Sequence, residues 1–318
     1  MIARLDKNYV VIINEKLPGN IPGDGHFLFY KTKYQDLHPT LVYDRFYLLH
    51  EPANRIIGQI SFEQDNNSRI SIAHGTFGSI ELNNKTSYSL LSGFFKIVIE
   101  YFKEKSVQSI VIRHYPDFYD PDNSPNICSA LSHIGFHIKT IDINHHLDTQ
   151  NNSFSDLINK MEKRQLRRCM DKELKFNQGN FSDAERVYER ISAFRKAKSI
   201  PLTYSWQDFK NCLEKMPDHY SVFYVTDNIQ EIIAATLLVR ITDKILYYFF
   251  PADNPDRKSI SPMLFLMNGI YSYAYEHHYQ YIDLGVSSAN GKPQPGLIQF
   301  KENIGGKPST RLTFELVI

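Results

Sequence analysis

The sequence predicts an α/β (α+β) chain made of two domains in tandem, and three observations carry that expectation. At 318 residues the chain exceeds the ~250–300 residues at which one hydrophobic core usually stops growing. The order strand, strand, strand, helix, strand, helix, strand can be read twice along it. The anchors of the two readings are also spaced almost alike. Ile57 to Leu90 spans 33 residues and Ile233 to Leu264 spans 31. Leu90 to Ile110 spans 20 against 18 for Leu264 to Ile282, and Ile110 to Gly135 spans 25 against 23 for Ile282 to Gly305.

Each reading opens on a hairpin. Arg45–His50 and Ile56–Glu63 flank the turn Pro52-Ala53-Asn54-Arg55, and Tyr220–Thr226 and Glu231–Ile241 flank Asp227–Gln230. A third strand follows, Ile70–His74 or Lys244–Phe250. A helix comes next. Ser87–Lys103 carries Leu90, Leu91, Phe94, Phe95, Val98 and Phe102 at helical spacing, and Pro262–Glu276 carries Leu264, Phe265, Met267, Ile270 and Tyr271. Pro262 suits a first helical position behind a capping Ser261. A short β-branched strand follows, Ser109–Arg113 or Tyr281–Asp283. A second helix ends in Ile134-Gly135 or Ile304-Gly305, and a terminal strand closes each half, His137–Ile143 or Arg311–Val317. Helices are expected before the second copy at Phe154–Leu174, Ser182–Ala197 and Ser205–Lys215, with Ser182-Asp183-Ala184-Glu185 as a capping box. The polar stretch Asp148–Ser153 is the expected boundary.

Composition narrows the partners. Hydrophobic residues make up 42% and aromatic residues 13%, ample for ordinary cores. A formal net charge of +1 creates no global field toward nucleic acid or membrane, so any basic site must be local. Cys128, Cys169 and Cys212 form no CxxC pair, which gives neither a thiolate zinc cage nor a disulfide framework. His145-His146 and His277-His278 are adjacent rather than at i,i+4, so no metal is expected. The first residues lack a signal-peptide core, and no apolar run reaches the ~18–20 residues of a span. The expectation is a cytoplasmic protein without membrane insertion and without a DNA partner.

The last third carries the most specific pattern. Tyr281-Ile282-Asp283-Leu284-Gly285 is a short buried strand with an acid and a glycine. A glycine-bearing loop follows, then the amphipathic helix Gly296-Leu297-Ile298-Gln299-Phe300-Lys301-Glu302-Asn303 and a Gly305-Gly306 stop. This pattern resembles the end of the GNAT acyltransferase fold in the variant used by Fem-type aminoacyltransferases. The likeness is strongest over Tyr220–Ile318 and extends to Arg45–Leu147. It implies two tandem GNAT-like domains, each a mixed, mostly antiparallel sheet flanked by helices. Residues 1–150 would be a degenerate N-terminal copy, and residues 151–318 the copy with the working cleft. The implied activity is acyl transfer onto a small amine-bearing acceptor by direct attack, with an acyl-CoA-type thioester as donor. The family glycine motif for the CoA pyrophosphate is missing, since Pro251–Ser261 contains no glycine. Fem-type enzymes lack it too, so a Fem-like enzyme using aminoacyl-tRNA is the alternative. However, residues 154–215 show no long helical arm of the kind those enzymes insert. A third alternative is a GNAT-like module that binds without catalysis.

Several residues could carry the chemistry. Asp283 could take a proton from the attacking amine or hold the ammonium, or it could merely accept loop N–H groups. Lys301, at the edge of its helix's apolar face, could stabilise an oxyanion or a phosphate, or lie along the surface. Its Phe300-Lys301 pair is the most Fem-like element present. Tyr248 could be a general acid toward the leaving group, or core packing. Arg257, Lys258, Ser259 and Ser261 open the long helix and form a candidate phosphate site, or a solvated turn. Lys160, Lys163, Arg164, Arg167 and Lys172 recur at helical spacing. Of these, Arg164 and Arg167 are the candidates for an anionic substrate, against the alternative of a solvated face.

Overall fold

A computed structural model of the chain describes residues 1–15, 17, 25–38, 41–150, 153–289 and 291–318. Residues 151 and 152 of the expected boundary stretch lie outside these. The elements in chain order begin with β1 (Ile2–Arg4), β2 (Tyr9–Ile13), α1 (Thr32–Gln35), β3 (Tyr43–His50), β4 (Arg55–Asp65), β5 (Ser68–Ser71) and β6 (Glu81–Leu82). They continue with α2 (Tyr88–Glu104), β7 (Ser109–Arg113), α3 (Ser124–His133), β8 (His137–Asp148), α4 (Phe154–Leu157), α5 (Lys160–Met170) and β9 (Lys175–Gly179). Next are α6 (Ala184–Ala197), α7 (Trp206–Lys215), β10 (Tyr220–Thr226), β11 (Ile232–Arg240), β12 (Ile245–Asp253) and α8 (Pro262–Glu276). The chain ends with β13 (Tyr281–Val286), β14 (Ser288–Ala289), β15 (Lys292–Pro293), α9 (Pro295–Asn303) and β16 (Lys307–Val317). No helix among the described residues is long and apolar enough to cross a membrane.

The chain divides into two compact units. The first comprises Met1–Ile143, Ser288–Lys292 and Ser309–Ile318, and the second Asn144–Ser287 and Pro293–Pro308. In the first, β1 to β5 pair antiparallel in chain order, β5 and β7 pair parallel, and β16 pairs antiparallel with β7. In the second, the end of β8 pairs antiparallel with β13, β13 pairs parallel with β12, and β12, β11, β10 and β9 continue antiparallel. Each unit is therefore a mixed, mostly antiparallel sheet with helices packed on it.

Strand β11 is buried along nearly its whole length, as a strand covered on both faces must be. α6 packs on β11 and β12, while α8 packs on β10 and β11. Leu266, Met267, Ile270 and Ala274 of α8 join Ile233, Leu238 and Leu246 in one core cluster. Gly269 lets α8 approach β9 closely, because a Cβ there would lie 2.2 Å from the Phe176 ring.

Several expectations are corrected. The terminal strand Arg311–Val317 does not close the second unit. It lies within β16 and pairs with β7, while the slot beside β13 is taken by Asn144–Asp148. A strand's alternation does not encode its neighbour, so the exchange leaves no local mark. The helix expected at Phe154–Leu174 is two helices, because Asn159 turns extended and caps α5 by accepting from Glu162 N at 2.8 Å. The capping box before α6 is Asn180 with Asp183 rather than Ser182 with Glu185. The strand Ile70–His74 stops at Ser71, since Ile72 adopts φ 40° and its carbonyl accepts from Gly75 N.

Candidate active site

The parallel pairing of β12 and β13 is short. Ile245 faces Tyr281, Leu246 faces Ile282 and Tyr247 faces Asp283, and the register ends there. Beyond this point β12 continues to Asp253, while β13 bulges at Gly285, whose φ is +73°. The strands part, and a cavity of about 420 Å³ opens in the second unit. Tyr248, Pro251 and Asp253 of β12 line one side, with Leu284 of β13 and Leu297, Phe300, Lys301 and Ile304 from α9 and its C-terminal cap. Met263 and Leu264 of α8 complete an apolar wall, and Lys258, Ser261 and Glu162 supply polar groups.

Lys301 is the one lysine counted among the buried polar side chains of the described residues, 5% exposed. Its Nζ donates to the carbonyls of Gly285 at 2.7 Å and Val286 at 3.0 Å. Both residues lie past the last β12–β13 pair, Tyr247 with Asp283, and keep partners only in β8. Burial pulls the ammonium down from 10.5 to about 7, against an opposing pull from the Asp283 carboxylate. With two N–H groups fixed on carbonyls, the protonated amine has a third to direct elsewhere, while the neutral amine has a lone pair there. The cap behind it is tight. Gly305 has φ +87° and a Cβ there would lie 2.7 Å from Leu157 Cβ, so this stop requires glycine.

Asp283 is buried but is absent from the cavity lining. Its Oδ1 accepts from Asn144 Nδ2 at 2.7 Å and from Gly285 N at 2.8 Å. It lies inside β13 at the bulge rather than at the strand's end. Tyr248 is 6% exposed, donates its hydroxyl to Met263 Sδ at 2.6 Å, and is held protonated by burial.

The candidate phosphate residues divide. Lys258 and Ser261 line the cavity. Arg257 points to Asp227 at 3.4 Å, and Ser259 is exposed, with its carbonyl accepting from Gln165 Nε2. Ser261 occupies the N-cap position, but its side chain makes no cap bond; it adopts φ 45° and ψ 54°. The expected serine cap is thus replaced by a left-handed turn. The N–H groups of Asp256, Arg257, Ser261, Leu264 and Phe265 are already bonded within the loop and first turn, and prolines 255 and 262 have none. Arg164 and Arg167 are exposed on α5, outside the lining.

Two groups escaped sequence reading. His145 is fully buried in β8, with Nδ1 2.8 Å from Ser287 Oγ and Nε2 without a hydrogen-bond partner. Burial and the nearby Lys301 both lower its pKa. The signal was present in His145-His146: along a strand adjacent side chains face opposite ways, so at least one of the two must turn inward, and in β8 both are buried. Glu162 lines the cavity from the first turn of α5, which Asn159 caps.

Residues 159–300 match the family described as acetyltransferase (GNAT) domain. No curated protein matches the chain. Among solved structures, FemX is similar with TM-score 0.71 and 12% identity, covering 91% of both chains. L-PGS from Bacillus licheniformis is similar with TM-score 0.56 and 11% identity, covering 81% of this chain and 80% of that one. A tandem GNAT protein from the clavulanic acid biosynthesis pathway gives TM-score 0.52 at 9% identity, covering 88% and 84%. These likenesses define the fold as a tandem, Fem-like GNAT fold.

Proposed function

We propose, from the premise that this chain is a GNAT-type acyltransferase with a Fem-like tandem fold, that the cavity between β12 and β13 moves an acyl group from an activated ester to an amine. The carrying observation is Lys301, a buried amine tethered to two carbonyls at the edge of a largely apolar cavity. In its ammonium form the third N–H stabilises the oxyanion that forms when the amine attacks the acyl carbonyl. A donor of this kind is worth about 10²–10³ in rate. Asp283 acts through Lys301 by favouring its charged form. Tyr248, kept protonated by burial, supplies a proton to the departing oxygen or sulfur and is restored by the proton that the attacking amine sheds. Lys258 and Ser261 hold the phosphate-bearing part of the donor.

The loop favours an aminoacyl ester of RNA over acyl-CoA as that donor. A CoA pyrophosphate is normally wrapped by a row of free backbone N–H groups at a helix N-terminus. Here that row is largely spent on internal bonds. The FemX likeness agrees with this choice. Acyl-CoA remains the second reading, favoured by the GNAT match and by Lys258 in the cavity. Thermal-shift titration separates the two, using acetyl-CoA and a non-hydrolysable 3′-aminoacylamino-adenosine. A ligand at a hundred times its Kd stabilises the fold by about 2.7 kcal/mol. The adenosine analogue should shift the melting point and acetyl-CoA should not. A shift with acetyl-CoA alone replaces the RNA ester by the thioester, and no shift with either at millimolar concentration counts against the cavity as a donor site.

A further inference from the structure

The geometry points to the outward face of α5 as a docking surface for the phosphodiester backbone of the RNA whose acylated end enters the neighbouring cavity. This rests on the acyl-transfer reading above and adds its partner surface. α5 has two distinct sides. Leu166 and Cys169 are buried, Cys169 Sγ donates to the carbonyl of Ile260 at 3.0 Å, and Gln165 holds Ser259. Glu162, on the same side, reaches the cavity. At 100° per residue, Lys160, Lys163, Arg164, Arg167 and Arg168 fall together on the opposite side, and Lys172 follows just beyond the cap. None of these six cations makes an ion pair among the described residues. The other carboxylate at this helix is Asp171, at its C-terminal cap.

A chain of net charge +1 has thus gathered five cations on one short helix beside its cavity and a sixth just beyond it, none ion-paired among the described residues. The helix is 11 residues long, hence roughly 16 Å, and one strand of a duplex places about five phosphates along that length. A lipid surface fits less well. A membrane-lying helix needs a continuous apolar face, and the apolar residues of α5 are either packed inward or, as Met161 and Met170, exposed on opposite flanks. The absence of aromatic residues on α5 fits contact with the backbone rather than the bases, so binding should tolerate sequence changes.

The test is fluorescence anisotropy with a labelled RNA hairpin carrying an unpaired 3′ end, titrated between 50 and 200 mM salt. The variant Arg164→Gln/Arg167→Gln/Arg168→Gln should weaken binding by tenfold or more at the lower salt. It should also flatten the slope of log K against log salt by about 2, since each lost phosphate contact removes ~0.7–0.9. The lysine triple variant at the same positions should retain most of the affinity, which separates loss of charge from loss of folding. The inference is overturned if the glutamine variant binds with unchanged affinity and slope, or if the native protein does not bind the hairpin. It is equally overturned if only vesicles of phosphatidylcholine and phosphatidylglycerol are bound. Turnover is measured separately. An inactive native protein whose RNA binding still needs the three arginines would overturn the acyl-transfer reading and leave the docking face. An active one whose RNA binding ignores them would overturn the docking face alone.

Discussion

The two units share a topology and differ where it counts. In the first, β5 and β7 pair parallel through Ser68–Ser109, Arg69–Ile110 and Ile70–Val111, then stop, as β12 and β13 stop after three pairs in the second. The first split is filled by its own chain: Gly78 N donates to the Arg113 carbonyl at 2.9 Å, and a Cβ on Gly78 would lie 2.3 Å from the Ser71 carbonyl oxygen. The second split stays open as the cavity. Matched by register, Val111 stands where the second unit has Asp283. Matched by the stop glycines Gly135 and Gly305, the fully buried Leu131 stands where it has Lys301. One unit has kept the architecture with hydrocarbon at both positions, and the other carries a carboxylate and an amine. The fold alone therefore does not make a site; an unfilled split and two polar substitutions do.

The largest expected effect comes from giving the second unit the first unit's residue. Lys301→Leu should lower turnover by about 10²–10³, while the fold is retained. The same variant carries a pH signature in stability. The folded-state pKa of Lys301, about 7, lies below its ordinary 10.5. Between these values the unfolded chain binds more protons than the folded one, so native stability rises with pH across that window. Below about pH 7 both states are protonated and the burial penalty is fully present. Melting curves across the window should show this rise in the native protein and a flatter profile in Lys301→Leu. The native rate should fall as pH climbs through about 7. A rate that instead rises there would make the neutral amine a base and end the oxyanion reading.

Asp283→Asn is a subtler break. Asparagine keeps an oxygen for Asn144 Nδ2 and Gly285 N, so the bulge survives, but it removes the charge that holds the Lys301 pKa up. The alkaline fall in rate should move to lower pH, with a smaller loss at neutral pH than in Lys301→Leu. An unmoved profile would show that the two groups are not coupled in function.

Much of this was legible in the residues. Pro262 and the spacing of Leu264, Met267 and Ile270 place α8 with its observed ends, and the alternation of Tyr220–Thr226 places β10. Phe300, Lys301 and the stop glycines were readable as a unit. The burial of Lys301 was not, because it depends on two carbonyls of β13 that lie past the end of the β12–β13 ladder. Ser261 reads as a side-chain cap in sequence, yet the turn before Pro262 is left-handed and the hydroxyl is not used for capping. His145 was passed over because adjacent histidines form no helical ligand pair, whereas in β8 both are buried, His145 completely. The exchange of β16 could not be read, since pairing partners far apart in the chain leave no trace in either segment's pattern.

The smallest effect separates two neighbours in one loop. Arg257 and Lys258 are equivalent by sequence, as adjacent cations before a helix. The turn sends Lys258 to the cavity and Arg257 to Asp227, at 3.4 Å and with the guanidinium side chain 43% exposed. The guanidinium is half-exposed and screened, and the buried Asp227 carboxylate also accepts from Ile229 N and Glu231 N, so the pair adds only about 0–1 kcal/mol. Arg257→Ala should therefore move the melting point slightly and leave the thermal shift produced by the donor analogue nearly intact. Lys258→Ala should reduce that shift while barely changing the melting point of the free protein, because its charge has no ion-pair partner among the described residues to lose. If the two variants behave in the opposite way, the donor's phosphates lie on the Asp227 side of the loop, and the open split is not where the donor enters.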